Sequence, residues 1–219
     1  MPVRPGGGSN PPPFSFIETA SQAQSVEVVA AKGHDPFCIL ISTMLSLRTK
    51  DATTAAASKR LFRVADTPRK IVALSHSRIE KLIYPVGFYH TKARSMKKTA
   101  QVLLEKYRGK VPDTIEKLVE LPGVGRKTAN LVVSLGFGKD GICVDTHVHR
   151  ISNRLGYVRT KTPHETEFAL RKKLPRKYWQ DINVLLVTWG QNVCAPISPR
   201  CSVCAIRPWC KRVGVGKSR

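Results

Sequence analysis

Acidic residues are scarce in this chain. Only 15 Asp and Glu stand against 37 Lys and Arg in 219 residues, a net charge of +22. Such a surplus needs a polyanionic partner or a tolerance of self-repulsion. The polyanion is nucleic acid or an acidic membrane. Membrane-binding basic segments cluster beside one amphipathic helix, whereas here they spread through residues 92–110, 159–161, 171–177 and 211–219. Nucleic acid is therefore the expected partner, and runs that do not touch it are solvated faces. Long apolar runs are missing too: none reaches the ~18 residues that a membrane-crossing helix requires. The opening MPVRPGGGSNPPP has no apolar stretch of the secretory kind. A cytoplasmic bacterial or archaeal setting is expected, with the nucleus as the eukaryotic equivalent. Alternating strand patterns and long-period repeats are also lacking.

What remains reads as helix. The hydrophobic share of 42% suits a folded domain, or two small ones sharing a core. Residues 1–13, rich in Pro and Gly, are expected to be disordered. Phe37–Leu47, apolar nearly all round and preceded by Pro36, predicts a central buried helix. Residues 50–65 and 92–107 predict two more, with Lys92 on the polar face of the second. Asp113 with Glu116 resembles a capping box that opens a short helix ending near Leu121. A helix from about Gly125 to Leu135 is expected to close at Gly136 and Gly138. Further helices are predicted over 145–155, 164–174 and 178–192. The fold class is all-α, and Trp179, Trp189 and Trp209 are expected in the core or lining a site.

Chemistry concentrates in three places. In Leu121-Pro-Gly-Val-Gly-Arg-Lys-Thr-Ala-Asn130, Gly123 and Gly125 permit a tight turn whose N–H groups, next to a helix N-terminus, suit one phosphate. The spacing is not that of a nucleotide-triphosphate loop. Lys127 falls in the first turn of the following helix. The helix dipole, the neighbouring Arg126 and partial burial would each press its amine towards a neutral nucleophile. Otherwise it is simply one of many basic residues. In Gly141-Ile-Cys-Val-Asp-Thr-His-Val-His-Arg150, Asp145 is a helix N-cap or a carboxylate facing an electrophilic centre. His147 and His149 lie on different helix faces, so they make no metal pair. His147 lines a site, contacts a phosphate or packs in the core.

Cys194, Cys201, Cys204 and Cys210 follow a C-x6-C-x2-C-x5-C spacing. Four thiolates so close suit a metal centre better than two disulfides. With a single C-x2-C pair they suit an iron–sulfur cluster better than zinc. Cys38 and Cys143 lie in apolar runs and are expected to be buried thiols.

LPGVGRKTA, VDTHVHR and the four-Cys tail, in this order, resemble the endonuclease III family of helix-hairpin-helix DNA glycosylase/abasic-site lyases. IYPVGFYHTKA at 83–93 and the LS-x-x-TKD segment at 45–51 share the resemblance, which covers about residues 25–212. It implies two α-helical domains flanking a DNA-binding cleft. One is a six-helix barrel over 29–139 with the helix-hairpin-helix. The other joins 14–28 to 140–219 and holds a [4Fe–4S] cluster on Cys194, Cys201, Cys204 and Cys210. Lys127 matches the catalytic lysine, Asp145 the catalytic aspartate, and Gly123, Val124 and Gly125 the DNA-backbone anchor. The implied activity, by a monomer, is excision of oxidised pyrimidines from double-stranded DNA through a lysine Schiff base, followed by β-elimination.

Arg48 stands where the family often has a Gln that fills the gap left by a flipped nucleotide, so the preferred opposite base is open. Phe88 matches an apolar wedge position, or packs beneath Tyr89 and Pro85. Two other readings compete. One is a monofunctional mismatch glycosylase, although related mismatch enzymes lack a lysine at position 127. The other is a non-enzymatic DNA-binding module with a metal-stapled tail.

Overall fold

The computed structural model describes residues 35–219. The expectations for residues 1–13 and 14–28 lie outside them. Among the described residues the chain forms ten α-helices, two short 3₁₀ turns and no strand.

The helices start where local chemistry dictates. α1 (Pro36–Ser46) has Pro in its first turn, and the Asp35 carboxylate accepts the Phe37 N–H at 3.1 Å. That satisfies one of the donors a helix start leaves open. Ile39, Leu40, Ile41 and Leu45 are wholly buried, so α1 is the central helix that its all-round apolarity predicts. α2 (Asp51–Phe62) follows. α3 (Pro68–Ala73) and α4 (His76–Ile83) were not expected. Their signals were present: Thr67 and Ser75 accept the N–H groups of Lys70 and Arg78 as N-caps. α5 (Tyr89–Tyr107) begins three residues ahead of its predicted start and ends on left-handed Arg108.

α6 (Ile115–Leu118) corrects the capping-box expectation. Its N-cap is Thr114, and Asp113 instead pairs with Lys139. α7 (Arg126–Phe137) runs through Gly136 and ends at Gly138, whose φ is +61°. Gly136 has a packing role: a Cβ there would lie 3.3 Å from Pro36 Cα. α8 (Thr146–Arg154), α9 (Pro163–Lys173) and α10 (Asp181–Asn192) complete the set, with a 3₁₀ turn at Arg176–Tyr178 between the last two.

Apolar side chains gather in two places. Ile39, Leu45, Leu61, Ile79, Met96 and Leu118 belong to the larger cluster, built by α1 to α7. Ile142, Val144, Val148, Val158, Leu170 and Trp179 form the smaller one. The tryptophans split. Trp179 is buried and Trp189 half-buried, but Trp209 is 76% exposed, against the expectation of a core or lining role.

Candidate active site and thiol cluster

The glycine hairpin between α6 and α7 closes through the Val124 N–H, which donates to the Leu121 carbonyl at 3.0 Å. Gly123 takes φ +79°, and a Cβ there would lie 3.0 Å from Ser95 Cβ. The Thr99 hydroxyl on α5 donates to Pro122 O at 2.7 Å, seating the turn. Val124 is a buried plug with its N–H engaged. The outward face of the predicted anchor is therefore Gly123, Gly125 and the first turn of α7.

That first turn carries Arg126 and Lys127. Arg126 differs from its expected role. It is held by both carboxylate oxygens of buried Glu167 on α9, at 2.8 and 3.0 Å. Its charge is neutralised there rather than pressed against Lys127. Arg171 also donates to Glu167, at 3.1 Å. Burial alone would raise the Glu167 pKa. The hydrogen bonds from Arg126, Asn130 and Arg171 outweigh that and hold it below the ordinary carboxylate range. One turn along α7, Asn130 Oδ1 accepts from Ile142 N at 3.0 Å and from Arg171 at 2.8 Å. Gly141 lies so close that a Cβ would come within 2.6 Å of Asn130 O. The segment leading to Asp145 is thus pinned along α7.

Those contacts bring Asp145 to Lys127. Asp145 is the N-cap of α8: its Oδ1 accepts the His147 and Val148 N–H groups at 2.8 and 2.9 Å. Its Oδ2 lies 3.7 Å from Lys127 Nζ. The lysine side chain is 43% exposed and the aspartate 13%, so the amine is reachable from solvent while the carboxylate is held in the wall. The N-cap reading of Asp145 holds through Oδ1, and Oδ2 faces the Lys127 amine.

His147 turns away from this pair. Its Nδ1 is 3.2 Å from Arg150 on the same helix, and the ring presses on α10 where Gly190 leaves room; a Cβ there would sit 2.2 Å from Nδ1. Burial holds its pKa below the ordinary imidazole range. His149 bonds Thr166 at 2.7 Å. Neither histidine belongs to a group of three or more His, Cys, Asp or Glu that could hold a metal ion among the described residues.

The four C-terminal cysteines line one cavity, with Trp189, Ile206 and Arg154 also in its wall. Among the described residues, no three Cys, His, Asp or Glu converge tightly enough to hold a single metal ion. Burial pushes the Cys204 thiol above its ordinary pKa, and Cys194, Cys201 and Cys210 push it further. Four thiol sulfurs lining one cavity are the donor set of a metal centre. α8 grips the ring: Arg154 donates to Cys194 Sγ at 3.4 Å and Ala195 O at 2.6 Å, and Arg150 donates to Cys194 O at 2.8 Å. Cys143 is buried and Cys38 half-buried, its pKa pushed up to about 12 chiefly by burial, so neither is a reactive thiol.

A family model described as the HhH-GPD superfamily base excision DNA repair protein matches residues 41–176. Endonuclease III of Thermotoga maritima is 48% identical over 191 residues, 86% of this chain and 90% of that one. The chain belongs to the endonuclease III family. It spans about half of a longer plant relative, Endonuclease III homolog 2, chloroplastic, of Arabidopsis thaliana, at 47% identity over 80% of this chain. It is also similar to a solved structure of a trapped endonuclease III–DNA covalent intermediate, with a TM-score of 0.76 and 39% identity, covering 81% of this chain and 84% of that one.

Against the endonuclease III pattern, Arg48 and Phe88 sit together. Both are exposed, both have left-handed backbone (φ 53° and 58°), and the Arg48 guanidinium lies 5.8 Å from the centre of the Phe88 ring. Phe88 is 63% exposed, so it does not pack beneath Tyr89 and Pro85. Beneath the pair lies Lys92, placed by the sequence reading on a polar face but only 9% exposed. Burial pushes its pKa down to about 8. Helical periodicity gave no warning of it, because the residue's acceptors come from a distant segment.

Proposed function

We propose that this protein is a base-excision-repair DNA glycosylase with abasic-site lyase activity, working on oxidised pyrimidines in duplex DNA. The observation that carries the reading is the exposed Lys127 amine 3.7 Å from the Asp145 carboxylate, beside a glycine hairpin suited to one phosphate. That pair lies within one chain, so a monomer suffices.

A base must leave the stack before its glycosidic carbon can be reached, at a cost of roughly a few kcal/mol that damage lowers. Lys127 Nζ then attacks C1′ of the deoxyribose. The bond from C1′ to the base breaks, its electron pair leaves with the base, and the base takes up a proton. Asp145 Oδ2 stabilises the positive charge developing on the sugar and accepts a proton from the attacking amine. The C1′–O4′ bond then breaks, O4′ leaves with its electron pair and takes up a proton, and the Nζ lone pair completes an iminium with C1′ that acidifies the C2′ hydrogen. Loss of that proton expels the 3′ phosphate and cuts the strand. Water then hydrolyses the imine and frees Lys127.

Cys194, Cys201, Cys204 and Cys210 would hold a [4Fe–4S] cluster, an electron-rich centre with no ligand position left open. Arg150 and Arg154 tie their loop to the helix that Asp145 caps, so the cluster would brace that helix. The two hydrophobic clusters support a boundary near residue 140 between the barrel and a second domain; residues 14–28, assigned to the second domain by the family resemblance, lie outside the described residues. Among the described residues no helix is long and apolar enough to cross a membrane. The six cysteines form no disulfide among the described residues, which fits a reducing, DNA-containing compartment: a prokaryotic cytoplasm or a nucleus.

Borohydride reduction during turnover tests the reading. A covalent protein–DNA adduct is expected with the wild type and none with Lys127→Ala, which should still bind DNA. Base release leaving intact abasic strands would support the monofunctional alternative; binding with no release at all would support the module.

A further inference from the structure

Three hydrogens is all that a lysine ammonium has, and Lys92 spends all three inside the protein. Nζ donates to Leu45 O at 2.7 Å, Leu47 O at 2.6 Å and Thr49 Oγ1 at 3.0 Å. The two carbonyls end α1, where a cation offsets the negative end of the helix dipole. Thr49 Oγ1 in turn accepts the Gly87 N–H at 3.2 Å. Gly87 presses against the same loop, so closely that a Cβ would come within 2.7 Å of Arg48 O. Lys92 itself stands on the first turn of α5, where its N–H bonds Phe88 O at 3.0 Å. One buried side chain therefore ties the loop of Arg48 to the loop of Phe88. No ammonium hydrogen is left for a phosphate.

We propose that Lys92 is a positioning residue that locks Arg48 and Phe88 into a single wedge, and so sets how well the enzyme handles paired DNA. Both tips depart from ordinary backbone, with φ above +50° on residues that are not glycine. Such conformations persist only where their surroundings impose them. The surroundings here are Lys92, Thr49 and Gly87. A wedge matters when a duplex must be opened and is idle when the target is already unpaired. The inference rests on the glycosylase/lyase reading above.

The test compares strand cleavage at an abasic site in duplex DNA with cleavage at the same site in single-stranded DNA. Lys92→Met keeps the length of the side chain and removes the donors. It is expected to lower the ratio of duplex to single-strand rates by up to about 10²-fold, the loss that a ~1 Å misplacement can cause. Thr49→Val removes the hydroxyl that accepts from both Gly87 N–H and Lys92 Nζ and should lower the same ratio several-fold, while Lys92→Arg recovers part of it. Fluorescence of 2-aminopurine placed opposite the abasic site should fall in step, as less wedge enters the helix. An unchanged ratio in folded Lys92→Met overturns the inference. Should that variant not fold, an unchanged ratio in Thr49→Val does so. A wild type that cleaves neither substrate overturns the enzymatic reading and this inference with it; a wild type that cleaves both equally overturns this inference alone.

Discussion

Asp145 makes two contacts with two oxygens, the helix cap and the approach to Lys127, and a substitution can separate them. Asparagine caps a helix about as well as aspartate, so Asp145→Asn should keep the His147 and Val148 hydrogen bonds and the melting temperature close to wild type. It removes the charge facing Lys127. Base release measured on an oxidised-pyrimidine duplex should slow by about 10²–10⁴, the usual worth of a placed acid–base group. Asp145→Ala should in addition cost roughly 1 kcal/mol of stability through the lost cap. Normal turnover by the Asn variant would remove Asp145 from the mechanism. At this scale the sequence was informative: a lysine in a first turn and an aspartate at a helix start were both visible. Their 3.7 Å approach was not, because it depends on contacts between α7 and segments beyond it.

Between elements, the decisive contacts join α7 to α9 and α8 to α10. Glu167 is a buried anion held by two arginines that keep part of their exposure. Breaking a buried pair from one side costs about 3–5 kcal/mol, and the arginines' exposure lowers that. Glu167→Gln should therefore lose about 2–3 kcal/mol in urea unfolding at pH 7 and slacken the Lys127–Asp145 approach. The depressed Glu167 pKa sets the pH dependence. Its stabilisation is present above the unfolded carboxylate value and is lost as pH falls through the folded one. Wild type should thus lose stability in acid more steeply than Glu167→Gln. Gly190→Ala should push α10 off His147 and Arg150, an overpacking cost of roughly 1–3 kcal/mol, seen as a lower melting temperature. The helix pattern was legible from periodicity and prolines. The short α3 and α4 open on Thr67-Pro68 and Ser75, N-cap signals that the sequence carries, and Thr114 rather than Asp113 is the N-cap of α6. Capping depends on a local side-chain geometry that several polar residues near one helix start can satisfy.

Across the described residues, several of the few acids are engaged by bases of the chain itself. Asp66 pairs with Lys70, Asp113 with Lys139, Asp140 with Arg176 and Glu167 with two arginines. Most of the positive surplus is left without a protein counter-charge. Binding to undamaged duplex should accordingly collapse with salt: if six phosphates are neutralised, affinity by fluorescence anisotropy falls about 10³-fold between 50 and 200 mM, and a flat response would argue against a charge-driven interface. The thiol ring gives the other prediction at this scale. Purified protein should be brown, with iron and acid-labile sulfide, and Cys204→Ala should bleach it and lower its stability.

Composition, motif spacing and helical periodicity were enough to determine an all-helical basic protein, its resemblance to DNA glycosylases and the residues expected to do chemistry. These are properties of neighbours along the chain, or of sums over it. Tertiary structure alone decided that Asp145 both caps and faces Lys127, that Glu167 neutralises Arg126, that His147 packs beneath Gly190, and that Lys92 binds two loops from within. Each of those depends on which distant groups satisfy a buried charge or fill the space that a glycine leaves, and burial is a property of the folded chain.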